Sequence, residues 1–156
     1  MRLTRMGALL VVGALACGKK SGEAQAQQAP VSDPAAAAPA AAAPAGPVVE
    51  VKMTGVGQKF AFEPATLTVA PGATVRFINV SGGPHNVSFW ADSVPAGGAA
   101  VLKAAMANQM QDLSGAFLTQ PNDHYDVSFA NAPTGAYKGY CMPHVALGMK
   151  FTITVK

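Results

Sequence analysis

The chain has 156 residues, 50% of them hydrophobic and only 12% charged. Its net charge of +3 is not gathered into a basic stripe, which argues against nucleic acid as a partner. Two cysteines, Cys17 and Cys141, are too few and too far apart for a disulfide-stapled scaffold.

Residues 1–16 read as an export signal. Arg2 and Arg5 supply a positive start, and Met6 to Ala16 is an apolar run of eleven residues, too short to span a bilayer. Ala14-Leu15-Ala16 puts small residues before Cys17. This stretch resembles a bacterial lipobox, with Ala14 where Leu is commonest, so Cys17 is expected to carry a lipid anchor. Simple secretion is the alternative. Residues 17–47 continue as a disordered, Ala/Pro-rich linker ("DPAAAAPAAAAPAGP") whose prolines stop the alanine runs from forming a long helix. Anchor, tether and domain together imply an exported protein held at the periplasmic or cell-surface side of a membrane.

Residues 48–156 are enough for one domain with its own core. They carry seven Lys/Arg against six Asp/Glu, so most of the chain's excess charge lies in front of them. Strand periodicity dominates. Val49, Val51 and Met53 share one face of Val48 to Met53. Lys59 to Phe62 and Thr66 to Val69 flank a Glu63-Pro64 turn. Thr74 to Val80 alternates Val75, Phe77 and Asn79 against Thr74, Arg76 and Ile78. His85 to Trp90, Tyr125 to Phe129, Ala136 to Cys141 and Lys150 to Val155 continue the pattern between Gly/Pro/Asn/Asp turns. So many short strands predict an all-β sandwich. Ala99 to Gln111 ("AAVLKAAMANQMQ") instead predicts a short helical insert, with Val101, Leu102, Ala105, Met106 and Met110 at helical spacing and the methionines used for packing.

Near the C-terminus, "GYCMPHVALGM" gives Cys141, His144 and Met149 in C-x2-H-x4-M spacing. Pro143 prevents a regular central strand and Gly148 permits a turn, so the three side chains can fold around one point. One more histidine would complete a His2Cys set with a weak axial thioether. His85, in "GGPHNV" at the mouth of a strand, suits that role better than His124, which sits in the polar turn "QPNDHYDV". A thiolate and two imidazoles suit both oxidation states of copper, while the thioether favours the reduced ion. Zinc is the alternative metal, although structural zinc sites usually pair two or more cysteines. A Cys141 nucleophile assisted by His144 would leave Met149 and the second histidine without a role.

"GYCMPHVALGMKFTITV" resembles the copper loop and last strand of the small blue copper proteins, the plastocyanin and pseudoazurin branch of the cupredoxins. "FEPATLTVAPGATVRFINVSGGPHNVSF" is similar to their middle strands and first-histidine loop. The resemblance implies a Greek-key β-sandwich holding one type 1 copper ion on His85, Cys141, His144 and Met149. It implies that the Asn86 side chain ties the two ligand loops together. It also implies a carrier of single electrons between a redox protein donor and acceptor; an enzyme would need a second, substrate-binding metal, for which His124 alone cannot build a site, and a monomer is expected. An exported copper-delivery protein is the alternative. Plant members carry a run of acids shortly after the P-H-N-V strand, but here "WADSVPAGG" has only Asp92. Docking is therefore expected at an apolar patch around His144, formed by Val145, Ala146 and Leu147.

Overall fold

The computed structural model describes residues 46–156. The export signal (1–16), Cys17 and nearly all of the linker (17–47) lie outside the described residues. From Val48 onward the chain forms eight strands: β1 (Val48–Val56), β2 (Lys59–Glu63), β3 (Thr66–Val69), β4 (Thr74–Asn79), β5 (Ser88–Phe89), β6 (His124–Ser128), β7 (Gly135–Tyr140) and β8 (Lys150–Val155). One helix, α1 (Gly98–Ala105), and two 3-10 turns, Ala91–Ser93 and Met142–Leu147, complete it.

The strands form two four-stranded sheets, β2-β1-β4-β6 and β3-β8-β7-β5. Pro64 separates β2 from β3 and sends the chain from the first sheet to the second. The chain returns for β4, crosses again to β5, and ends with the β7–β8 hairpin. Hence β1 pairs with β4, and β3 with β8, in parallel, while the other pairings are antiparallel.

Period-2 patterning decides what lies between the sheets. Val51, Met53, Phe62, Val75, Phe77 and Val127 are buried from one side; Leu67, Val69, Tyr137, Phe151, Ile153 and Val155 are buried from the other. Phe151 sits at the centre of this core, with Phe62, Phe77 and Phe89 rings 4.7, 5.1 and 5.3 Å from its own. Each such side chain contributes roughly 1.5–3 kcal/mol through burial. Gly139 opposite Phe151 has no room for a side chain, since a Cβ there would lie 2.2 Å from the Phe151 ring and 2.5 Å from the Ser88 carbonyl oxygen.

Two expectations need correction. The helix stops at Ala105, six residues short of the expected end at Gln111. Gln109 accounts for this: its side-chain amide donates to the Lys103 and Met106 carbonyls, and its carbonyl accepts from Leu113 N–H. Asn108 takes a positive φ of 48° in the same turn. Leu102 and Met106 face the core, as packing residues should, but Met110 is exposed. The expected strand from His85 to Trp90 is also reduced, to Ser88–Phe89. Its first half pairs instead with the segment after the helix, through His85 N–H to Leu118 O (3.1 Å), Leu118 N–H to His85 O (2.8 Å) and Gly115 N–H to Val87 O (2.9 Å).

Candidate metal centre

The β4–β5 loop and the β7–β8 turn meet at one end of the sandwich. Cys141 is the last extended residue after β7, where Met142–Leu147 tightens into a 3-10 turn with Pro143 in its first positions. Proline suits a helical start because it gives up only an N–H that would have no partner there. Gly148, at φ 86°, reverses the chain in a left-handed conformation that a β-carbon would strain. The turn then closes on itself: Met149 N–H reaches the His144 carbonyl (3.2 Å), and Cys141 N–H reaches the Met149 carbonyl (3.1 Å). Cys141 and Met149 are therefore drawn together, both fully buried.

His85 arrives from the other loop, also fully buried. Its Nε2 lies 2.8 Å from the Ser81 carbonyl oxygen. A carbonyl only accepts, so Nε2 carries the proton and Nδ1 keeps a lone pair. That Nδ1 is 3.6 Å from Cys141 Sγ, and the Nδ1 of half-buried His144 is 3.5 Å from the same sulfur. Within the cluster His85, Cys141 and His144, all the donor atoms lie within 4.8 Å of one another. His124 is elsewhere, exposed at the start of β6 opposite Ile78.

Asn86 bridges the two segments. Its Oδ1 accepts from Met142 N–H at 2.7 Å, and its own backbone N–H points at Cys141 Sγ at 3.5 Å. Its Nδ2 donates to Ser88 Oγ, Ser114 Oγ and the Gly115 carbonyl.

Burial sets the protonation of the cluster. It lowers the His85 imidazole below its ordinary value, with a partial opposing effect from the Ser81 carbonyl. It lowers His144 as well, reinforced by His85. It raises the Cys141 thiol, opposed by the backbone N–H groups of Asn86 and His144. At neutral pH the pocket is thus uncharged, with soft or borderline donors facing one point and no carboxylate among them. This donor set fits a copper ion better than a structural zinc, which usually takes several thiolates, or a hard oxygen-seeking cation.

Phe60, on β2, stacks flat on His144 with ring centroids 3.7 Å apart and planes 7° from parallel, and it meets His85 edge-on at 6.2 Å. Gly55 leaves space for it: a Cβ there would lie 2.6 Å from the Phe60 ring. Local sequence pattern assigns Phe60 no role at this cluster. The signal for it is its parity with buried Phe62, which puts Phe60 on the inner face at the strand's end. Ser88 and Ser114 carry a weaker signal: Ser88 is a small polar residue beside Phe89 on β5, and Ser114 lies in the segment after α1, where no local pattern marks it as buried.

Comparison with known proteins gives a consistent result. A family model described as copper binding proteins, plastocyanin/azurin family, matches residues 49–156. A plastocyanin of Scenedesmus fuscus is 37% identical over 108 residues, covering 69% of this chain and 99% of that one. A chloroplastic plastocyanin of Physcomitrium patens is 39% identical over 105 residues, 67% of this chain but only 56% of its own length. Among solved structures, the oxidized form of plastocyanin from Dryopteris crassirhizoma aligns with a TM-score of 0.56 and 31% identity, over 69% of this chain and all of that one.

Proposed function

Because this chain belongs to the plastocyanin/azurin family of copper-binding proteins, which bind one copper and carry electrons rather than catalyse a reaction, we propose that His85, Cys141 and His144 hold that copper, with Met149 as the weak axial donor. The observation that carries the assignment is the convergence of the two imidazole Nδ1 atoms on Cys141 Sγ at 3.6 and 3.5 Å. Copper in such a set changes oxidation state by one electron. The chain's own residues do the rest. Ser81 fixes the His85 ring, Asn86 joins the two ligand segments, and the buried Cys141 and Met149 keep water from the sulfur atoms. A scaffold that holds its donors in place before the ion arrives has little to rearrange on electron transfer.

His144 is the one nitrogen ligand that is not fully buried, which makes its edge the exit for the electron. Ala146 and Leu147 are exposed beside it and Val145 is half-buried, an apolar surface on which a redox partner can dock. Copper delivery is the competing use, and a closed thiolate site argues against it. We place the protein outside the cytoplasm, as a monomer anchored through Cys17, with a linker of about 30 residues reaching on the order of 90 Å at most. No helix among the described residues is long and apolar enough to cross a membrane.

Absorption and EPR spectra of the copper-loaded protein test the assignment. An intense visible band should appear on oxidation, vanish in Cys141→Ser and survive repeated redox cycles without metal loss. Met149→Gln should keep the colour and lower the reduction potential, since an oxygen donor favours the reduced ion less. A colourless wild-type copper complex would overturn the reading, and copper lost on each cycle would favour delivery.

A further inference from the structure

We propose that Ser88 and Ser114 are positioning residues for the metal centre: their hydroxyls accept from the Asn86 carboxamide and hold it in the orientation that meets Met142 N–H, and through it the turn that carries Cys141. A carboxamide has nearly the same shape in its two flipped orientations, so its neighbours must choose between them. On one side lies only the Met142 N–H, a donor, which demands Oδ1. On the other lie Ser88 Oγ and Ser114 Oγ, each 3.1 Å from Nδ2, and the Gly115 carbonyl at 3.3 Å. The two hydroxyls are 2.7 Å apart, so one donates to the other, and both retain lone pairs for Nδ2.

Asn86 and Ser88 are fully buried and Ser114 is 1% exposed. All three side chains are therefore shut off from bulk solvent. A flipped amide would set Nδ2 against the Met142 N–H and Oδ1 against the Gly115 carbonyl, and because one serine hydroxyl already donates to the other, only one proton would be left to meet Oδ1 in a low-dielectric site. The geometry also gives the helical insert a task. Ser114 and Gly115 follow α1, and they are held by Ser114 N–H to Gln111 O, Met110 N–H to Ser114 O and Gly115 N–H to Val87 O. The segment that lengthens the interval between His85 and Cys141 thus closes behind the ligand turn and sets its bridge. A buried serine on β5, where an apolar side chain could pack, is costly unless its hydroxyl is used.

The inference rests on the copper reading only for its consequence at the metal. Amide hydrogen exchange on the copper-free full chain tests the geometry alone. Ser88→Ala or Ser114→Ala should speed exchange at Met142 N–H by about tenfold, the loss expected for one indirect hydrogen bond. Amides of β4 and β6 should change by less than about twofold, and in an Asn86→Ala background either serine substitution should add less than about twofold at Met142. If one alanine variant does not fold, the other reads the same bond. In the copper-loaded protein the visible band should move in the same direction as in Asn86→Ala. Unchanged Met142 exchange, acceleration shared with β4 and β6, a serine effect persisting in full without Asn86, or a blue protein whose band stays still would each overturn the proposal. A wild-type protein with no band would instead sink the copper reading and leave the exchange result standing.

Discussion

The two histidines of the cluster face the same sulfur but are held in opposite ways. His85 is fully buried, with its far nitrogen pinned to the Ser81 carbonyl and its backbone bonded both ways to Leu118. His144 rides on a six-residue 3-10 turn, half-buried, with Phe60 stacked on its face. One imidazole belongs to the core and the other to the surface. An electron carrier needs both kinds: a fixed donor that resists rearrangement, and an edge close enough to solvent for a partner to approach.

Deleting each ring should break this comparison most sharply. His144→Gly leaves a gap near the surface, so imidazole added to the copper-loaded variant should restore the visible band. His85→Gly leaves a gap inside the core behind Leu118 and Asn86, and added imidazole should not restore it. Equal rescue of both variants would mean that the two positions are equally open.

The pH dependence of copper uptake tests whether burial treats the two rings alike. Both imidazoles are lowered from the ordinary 6.5 and the thiol is raised from the ordinary 9.0. Between those values both rings are already neutral and only Cys141 has a proton to lose. Copper affinity should therefore rise by about tenfold per pH unit from 7 to 9, with release of about one proton, as metal binding to a protonated thiol requires. Calorimetry in buffers of different ionisation heat measures that proton. Release of two would show that one imidazole is protonated when the metal is absent.

Phe60→Ala removes the ring that covers His144 and should cost about 1–3 kcal/mol in denaturant unfolding, from lost burial and a lost ring pair. The His144 ring protons should shift strongly in the NMR spectrum of the reduced protein, and those of His85 only slightly. Comparable shifts at both rings would show that Phe60 supports the whole site.

The smallest effect is expected at the docking surface. Leu147→Asp should slow electron transfer to the partner by a few-fold, more than neutralising Asp92, Asp112 or Lys138, with the copper spectrum intact. The same rate should vary by less than about tenfold between low salt and 0.3 M salt, because apolar contact is not screened. A steep salt dependence with a silent Leu147→Asp would move docking away from the His144 edge.

The alternation of Val75 and Phe77 with Arg76 and Ile78 could be read as a strand because a sheet with one buried face imposes period 2. The proposed copper set is legible for a local reason as well: Cys141, Pro143, His144, Gly148 and Met149 form a closed turn whose chemistry and backbone freedom lie in nine consecutive residues. Even His85 could be chosen from its Gly-Gly-Pro setting. The end of α1 could not, because Gln109 stops it with a side chain whose partners lie in the fold. Phe60 on His144, and Ser88 with Ser114 behind Asn86, join residues between 26 and 84 positions apart. Local propensity carries no information about such pairs. Only the meeting of the β1–β2 hairpin, the β4–β5 loop, the post-helix segment and the last turn at one end of the sandwich brings them together, and burial there makes each contact matter.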